Sequence, residues 1–323
     1  MKWSNPDEHA KLAASQAGWC AVPPTLSKRR GCRYWLKLLI VGAIGGLVIG
    51  YVGYVIVAAE MYAQPARVSL GGITPRDKGL SYEDVTLTTA DGLSLQGWYL
   101  PSRNRAAIIL LHGYGGNRLE VLDRAALLAQ HDYGVLLYDE RGSGESGGDQ
   151  RTFGWLDVND VSLALAYLQA RAEIDPQRIG LLGFSIGGQI ALRAAAQSDH
   201  VKVVVAEEPG FARISDVPDL PGLMDNFYDV SYWIGERWLS LRTGAPIPTG
   251  VVDELKRMTP RPILFTATGQ DYGRALVRYF YEQAADPKEW WEVPETDHGN
   301  SLRARPQEYE HIVIDFLDRG LVK

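Results

Sequence analysis

A short apolar strand that ends in a glycine-flanked serine constrains the fold of this 323-residue chain more than any other stretch. Residues 179–184 read Ile-Gly-Leu-Leu-Gly-Phe, and Ser185 follows them, between Gly183 and Gly187. An alanine-rich segment at 186–197 then has the composition of a helix. A strand that turns into a helix this abruptly needs glycines where a Cβ would collide with neighbouring backbone. The stretch therefore predicts a strand–turn–helix unit with its serine on the turn.

Seven further segments have strand character. Segments 82–89 and 93–100 flank Asp91-Gly92, which is typical of a hairpin turn. The later apolar runs at 106–111, 135–138, 201–206 and 263–267, like the run at 179–184, lack alternation, as do strands covered on both faces of a parallel sheet. A last strand is expected near 290–293. Helical patterns separate them at 118–130, 155–171, 186–197, 274–284 and 307–318. This alternation predicts an α/β fold with a mainly parallel eight-stranded sheet and helices on both faces, which binds ligands at the carboxyl ends of its strands.

The amino-terminal region contains an uncharged run from Leu38 to Ala59, about as long as a helix that crosses a membrane. Basic residues crowd its amino-terminal side, at Lys28, Arg29, Arg30, Arg33 and Lys37. The positive-inside rule then places residues 1–35 in the cytoplasm as a tail and the rest outside. We expect an uncleaved, single-pass transmembrane signal anchor at 36–59, whose apolar run is longer than that of a signal peptide. A cleaved signal peptide is the alternative, since Val57-Ala58-Ala59 resembles a cleavage site.

Composition narrows the range of partners. The net charge of −6 gives no reason to expect nucleic acid. The two cysteines, Cys20 and Cys32, both lie on the predicted cytoplasmic side, so the exported part has no disulfide, and no spacing of metal ligands is present. Gly42, Gly46 and Gly50 recur every four residues, which would allow a homodimer through close pairing of two membrane helices.

The rest of the chain divides into a linker at 60–80 and one domain at 81–323. Within that domain, about 208–259 fits no simple strand-to-strand crossover and is rich in aromatic residues: Phe211, Phe227, Tyr228, Tyr232, Trp233 and Trp238. Long segments of this kind are often lids or binding loops. We predict a small substrate-covering lid with Phe211 and Trp233 in contact with the substrate; an ordinary crossover helix that packs on the sheet is the alternative.

A histidine is placed to activate the serine. A serine hydroxyl is a poor nucleophile unless a base removes its proton and an acid orients that base. His298 lies in a loop directly after the last strand and before the last helix, at the strand edge where Ser185 is expected. We therefore predict Ser185 as nucleophile and His298 as base.

The acid is expected after the strand at 263–267, where Asp271 stands, and we predict Asp271. Three other carboxylates compete with it. Asp297 is adjacent to His298, so its side chain is expected to diverge from the imidazole. Glu207 and Glu208 follow the preceding strand, where acids serve in some arrangements.

An oxyanion hole needs two backbone donors aimed at one point. Ile186, directly after the serine, offers one N–H, and Tyr114 in the glycine-rich loop 112–117 offers the other. The Tyr114 side chain is also expected to line the substrate pocket, and His112 to orient the loop. Loop 139–146 lacks the lysine of a phosphate-binding loop and is interpreted as a structural turn.

Together these residues resemble the α/β-hydrolase superfamily over about residues 81–323. The motifs that carry the resemblance are His112-Gly113, Asp139-x-Arg141-Gly142-x-Gly144-x-Ser146, Gly183-x-Ser185-x-Gly187, Asp271 and His298-Gly299. The chain looks like the membrane-anchored BEM46/ABHD-like serine hydrolases. It departs from them at Gly269, which stands two residues before Asp271 where Gly-x-x-Asp is usual.

The resemblance implies a membrane-attached serine hydrolase that cleaves an ester or thioester of an acyl or lipid-like substrate and needs no cofactor. A peptidase or amidase of the same fold is one alternative, although no propeller domain of the oligopeptidase type is expected. A non-catalytic binding protein on a hydrolase scaffold is the other. The intact serine, histidine and acid favour an enzyme.

Overall fold

The computed structural model describes residues 28–218, 223–269 and 271–322, which form two compact units that meet between Tyr51 and Val52. Helix α1 (Lys28–Ala63) is the first described element. Its segment Gly31–Ala63 has the length and apolarity of a membrane anchor or a signal sequence. A stretch of 18 residues within this segment has a mean hydropathy of 2.2, and 6% of the stretch is buried. The apolar helix predicted at 36–59 is confirmed, and it continues to Ala63.

The second unit contains the eight-stranded sheet. Its strands are β1 (Glu83–Thr88), β2 (Ser94–Leu100), β3 (Ala107–Leu111), β4 (Gly134–Tyr138), β5 (Ile179–Phe184), β6 (Val203–Glu207), β7 (Ile263–Thr268) and β8 (Lys288–Val293). Their order across the sheet is β1-β2-β4-β3-β5-β6-β7-β8. The β1–β2 hairpin and the β2–β4 pair are antiparallel, and the other neighbours are parallel. The predicted fold class is confirmed.

Helices cover both faces of the sheet. The helices that follow α1 are α2 (Leu122–Gln130), α3 (Asp157–Gln169), α4 (Ile186–Gln197), α5 (Leu223–Thr243), α6 (Val251–Arg257), α7 (Asp271–Gln283), α8 (Ser301–Ala304) and α9 (Pro306–Leu321). Alternate residues of β3 face opposite cores: Ile109 belongs to the core that includes residues of α3, α4, α6 and α7, whereas Ile108 belongs to the core that includes residues of α2 and α9. Because both faces are covered, every residue of β3 to β7 is buried.

Some boundaries differ from the sequence expectation because local turns interrupt the apolar runs. The helix predicted at 118–130 begins as the 3-10 turn Arg118–Val121 and becomes α2 only at Leu122. Another 3-10 turn, Pro75–Lys78, lies within the predicted linker. Between β6 and β7 the described chain forms the 3-10 turn Ile214–Asp216, then α5 and α6, in the region predicted as a lid.

Candidate active site

The turn between β5 and α4 holds Ser185 in a strained backbone conformation, with φ 55° and ψ −117°. A Cβ on Gly183 would overlap the carbonyl of Gly187, and a Cβ on Gly187 would overlap the carbonyl of Leu111. The Ser185 N–H donates to the carbonyl of Glu207 on β6 at 2.8 Å. A non-glycine residue in such a conformation costs about 1–3 kcal/mol and persists only where its surroundings impose it. The glycine spacing is therefore a steric requirement of the turn.

The loop after β3 meets the amino terminus of α4 at a small pocket. Gly113, Tyr114 and Ile186 all line this pocket, so the structure brings the two predicted oxyanion residues together. The Gly113 N–H donates to Glu120 Oε2 at 2.7 Å, which fixes the start of the loop. The unpaired N–H groups of a helix amino terminus also favour negative charge at this place.

His112 fixes the same loop through the contacts of its two ring nitrogens. Its Nε2 accepts the N–H of Glu140 at 3.0 Å, so the proton lies on Nδ1, which is 2.8 Å from the carbonyl of Gly113. Burial lowers the pKa of His112, which keeps the ring neutral. This arrangement agrees with the orienting role expected of His112.

His298 lies in the loop after β8, at the carboxyl edge of the sheet. Its ring is 4.8 Å, centroid to centroid, from the ring of Phe184, the residue before Ser185. A Cβ on Gly299 would meet the Phe184 ring at 2.6 Å, so only glycine lets the loop approach this closely. The structure thus brings the predicted base beside the residue that precedes the predicted nucleophile.

The carboxylate beside His298 belongs to Glu208. Its Oε2 is 2.7 Å from His298 Nδ1 and accepts the hydroxyl of Thr268 at 2.6 Å, while Oε1 accepts the N–H of Gly299 at 3.0 Å. Glu208 is 6% exposed and has φ 46°, a left-handed conformation directly after β6. A buried carboxylate with these donors keeps the imidazole in one orientation and one tautomer.

The other candidate acids are placed differently. α7 begins at Asp271, the predicted acid, but the Asp271 side chain lies outside the part of the chain whose side chains are described. Asp297 is exposed, and Glu207 points to a different cluster. Sequence reasoning ranked the acid after β7 above the acid after β6. The shortened spacing between Gly269 and Asp271 was the signal against that ranking.

Glu207 belongs to a buried network that fixes the histidine loop. Its carboxylate accepts Arg124 Nε at 2.6 Å and the hydroxyl of Tyr309. Arg124 Nη2 in turn donates to the carbonyl of Gly299 at 3.2 Å. Because Arg124 and Glu207 are 5% and 1% exposed, their charges depend on each other for compensation. The network ties α2, β6 and α9 to the residue after His298.

We expect Arg124→Met to lower the free energy of unfolding by about 3–5 kcal/mol, because it leaves the Glu207 carboxylate buried without its partner. Chemical denaturation of the purified full-length protein measures this loss. Arg178→Met is the matched control. Arg178 pairs with Asp175 at 3.7 Å with both side chains about one-third exposed, and its loss is expected to cost no more than about 1 kcal/mol. Equal losses in the two variants would contradict the role given to the buried pair.

The loop at 139–146 is a structural turn, as expected. Asp139 is fully buried and accepts the backbone N–H groups of Arg118 and Glu145, both at 2.8 Å. Arg141 pairs with Asp160 and Asp91. These bonds leave the loop no set of free donors for a phosphate group.

An apolar cavity of about 350 Å³ lies beside the small pocket. Its walls include Phe153, Phe211 and residues of α1 and α5. The ring of Phe153 stacks on that of Tyr114 with 5.3 Å between centroids, so the oxyanion loop borders the cavity. Trp233, the other residue predicted to contact the substrate, is not among the residues that line this cavity. Its side chain is about half exposed, and the Arg237 guanidinium lies 3.9 Å from its ring centroid.

The strand order, the antiparallel start of the sheet and the serine on the β5–α4 turn define the α/β-hydrolase fold. A family model described as the alpha/beta hydrolase fold matches residues 106–232. The fold and this match support the α/β-hydrolase superfamily for the chain.

Individual proteins are similar to parts of this chain. The uncharacterized protein YfhR of Escherichia coli O157:H7 is 32% identical over 180 residues, which are 52% of this chain and 60% of YfhR, less than two thirds of its length. The thiohydrolase aneE of Aspergillus aculeatus is 33% identical over 141 residues, 42% of this chain and 44% of that protein. Among solved structures, the Pyrococcus furiosus esterase Pf2001 superimposes with a TM-score of 0.65 at 25% identity, over 80% of this chain and 98% of the esterase.

Proposed function

We propose that this protein is a membrane-anchored serine hydrolase that cleaves an ester or thioester through Ser185, His298 and Glu208. The observation that carries the proposal is the 2.7 Å contact between His298 Nδ1 and the buried Glu208 carboxylate, at the strand edge where Ser185 occupies its strained turn. An imidazole held in this way presents its other nitrogen as a base. Glu208 thereby takes the role that the sequence assigned to Asp271.

The reaction follows from these positions. His298 Nε2 accepts the proton of the Ser185 hydroxyl while Oγ bonds to the acyl carbon, and the N–H groups of Tyr114 and Ile186 stabilise the resulting oxyanion. His298 then donates that proton to the departing alcohol or thiol, which leaves an acyl-enzyme. Water, deprotonated by His298, releases the acid and restores Ser185. The Glu208 carboxylate stabilises the imidazolium that forms.

Two observations support an acyl substrate. Similar proteins include one named as an esterase and one named as a thiohydrolase. The cavity beside Tyr114 is lined mainly by aromatic and small apolar residues, which suits a hydrocarbon chain.

The membrane assignment rests on α1 and its flanking charges. Five basic residues lie near the amino-terminal side of its uncharged run, whereas Glu60 is the first charge after it. This asymmetry supports a cytoplasmic tail and an extracytoplasmic hydrolase domain. It also favours the BEM46/ABHD-like kind of hydrolase, in which an anchor precedes the catalytic domain.

A fluorophosphonate probe, which phosphonylates activated serines, tests the proposal. We expect the full-length protein in detergent to be labelled and His298→Ala to lose the label, because Ser185 then has no base. His131→Ala is the matched control, since His131 contacts Glu310 on α9, away from the site, and is expected to label like the wild type. Absence of labelling in the folded wild type would contradict the proposal. Cleavage of peptide amides in preference to esters by wild-type enzyme that has not been treated with the probe would move it to the peptidase class.

A further inference from the structure

We propose that the last turns of α1 form one wall of the site that holds the substrate's acyl chain. The helix would then bind substrate as well as attach the protein to the membrane. This inference rests on the proposed function, because it names the part of that substrate which the cavity accommodates.

One face of α1 lines the cavity. Val55, Ala58, Ala59 and Tyr62 all belong to the lining, and their spacing of three and four residues places them on one side of the helix. Val55 is 5% exposed, whereas Val57 on the other side is 59% exposed. The last turns of α1 therefore have one face that lines the cavity of the hydrolase domain and an opposite face that is exposed.

Specific bonds hold this end of α1 in place. The Glu60 carboxylate accepts the indole N–H of Trp238 on α5 at 3.0 Å and pairs with Arg242 at 3.3 Å. The carbonyl of Ala63 accepts the N–H of Arg151 at 2.7 Å. These polar contacts fix the position of the last turns of the helix, and residues from Val52 onward belong to the same compact unit as the hydrolase domain.

Residues on the other walls of the cavity lie next to Tyr114 and Ser185, the proposed reaction centre. Phe153 lines the cavity and stacks on Tyr114, whose hydroxyl donates to the carbonyl of Tyr62 on α1. Phe211 lines it too, and the preceding residue, Gly210, donates its N–H to the carbonyl of Ser185 at 2.9 Å. A chain that fills the cavity thus ends beside the serine and the oxyanion loop.

The chemistry of the lining favours a single hydrocarbon chain as the occupant. The volume of the cavity, about 350 Å³, lies within the range of small-molecule sites, ~300–1,000 Å³. Among the described lining residues the carboxyl belongs to Glu236, which accepts the N–H of Ile214 at 2.6 Å and whose pKa burial raises. Tyr228, which also lines the cavity, is 54% exposed and marks its open rim. A substrate's hydrocarbon chain that leaves the apolar layer of the membrane around α1 would enter the cavity at this rim.

Chain-length selectivity tests the inference. We expect kcat/KM of the full-length enzyme on p-nitrophenyl esters to rise about fourfold per added methylene from butanoyl towards dodecanoyl, since each buried methylene contributes ~0.8 kcal/mol. Ala59→Trp places an indole in the cavity and is expected to lower the dodecanoyl-to-butanoyl ratio of kcat/KM at least about tenfold. Val57→Trp, the same change in size on the exposed face, is the matched control and should keep the wild-type ratio. Equal ratios in the two variants would overturn the inference.

A binding measurement keeps this result separate from the proposed hydrolysis. Dodecanoic acid with a diazirine at its chain end is photolysed with Ser185→Ala protein in detergent, and labelled peptides are identified by mass spectrometry. We expect saturable labelling of residues 55–62 that excess unlabelled dodecanoic acid removes and that the added change Ala59→Trp abolishes. Labelling that is not competed is contact with the micelle and would overturn the inference. Absence of fluorophosphonate labelling in the folded wild type, together with competed labelling of α1 in Ser185→Ala, would instead refute the hydrolase and keep the chain site.

Discussion

Ser185→Ala is expected to lower kcat for ester hydrolysis by about 10⁴–10⁶-fold, because the acyl-enzyme then has no nucleophile to form on. What activity remains would come from the oxyanion donors and from binding alone. Steady-state kinetics on a medium-chain p-nitrophenyl ester measures the loss. Ser185→Ala should also lose fluorophosphonate labelling, while keeping the circular dichroism spectrum of the wild type. A variant that turned over substrate at the wild-type rate would refute Ser185 as the nucleophile.

A second substitution at this position separates catalysis from backbone strain. Ser185→Gly should be as inactive as Ser185→Ala, yet more stable than it by about 1 kcal/mol, since glycine adopts φ 55° without the steric cost that a Cβ carries. Denaturation of the two variants side by side measures the difference. A glycine variant less stable than the alanine variant would contradict the presence of strain at the turn.

Glu208→Gln is expected to lower kcat by about 10³–10⁴-fold. A glutamine still fills the space and retains one oxygen acceptor, but it cannot stabilise the imidazolium and its amide can force the wrong tautomer on His298. The three donors that now converge on the carboxylate, from His298, Thr268 and Gly299, would meet a neutral group. Single-turnover kinetics locates the loss in the acylation step.

Asp271→Asn is the matched control for this prediction, because Asp271 was the acid expected from the sequence. If Glu208 orients His298, Asp271→Asn should change kcat by no more than about threefold, as expected for a carboxylate outside the catalytic unit. A large loss in Asp271→Asn with a small loss in Glu208→Gln would return the acid to the position after β7. Melting temperatures of both variants show whether either loss reflects unfolding.

Local physics made most of the fold predictable. The uninterrupted apolar runs of β3 to β7 indicated strands buried on both faces, and the structure places them there. Asp91-Gly92 predicted the β1–β2 hairpin, which forms with Leu87 opposite Leu95. The helix α4 has the bounds expected from its composition, Ile186–Gln197. Each of these features depends on residues close together in the chain.

The sequence by itself also determined the position of the serine. A Cβ at Gly183 or Gly187 would overlap neighbouring backbone, so the turn requires glycine at both positions. The spacing of residues 183–187 is therefore enough to predict where the serine lies. His298 was predicted by a similar rule, since a loop after the last strand ends at the same edge of the sheet as the turn after β5.

The identity of the carboxylate beside His298 and the role of α1 were decided only by the tertiary structure. Glu208 reaches His298, 90 residues away in the chain, because its left-handed φ redirects the chain after β6 and because Thr268 and Gly299 donate to it. Likewise, a run of apolar residues shows that α1 avoids water, but only packing against α5 shows that Val55 and Ala59 line a cavity. Such contacts join distant segments, and their distances depend on the whole arrangement of sheet and helices rather than on local spacing.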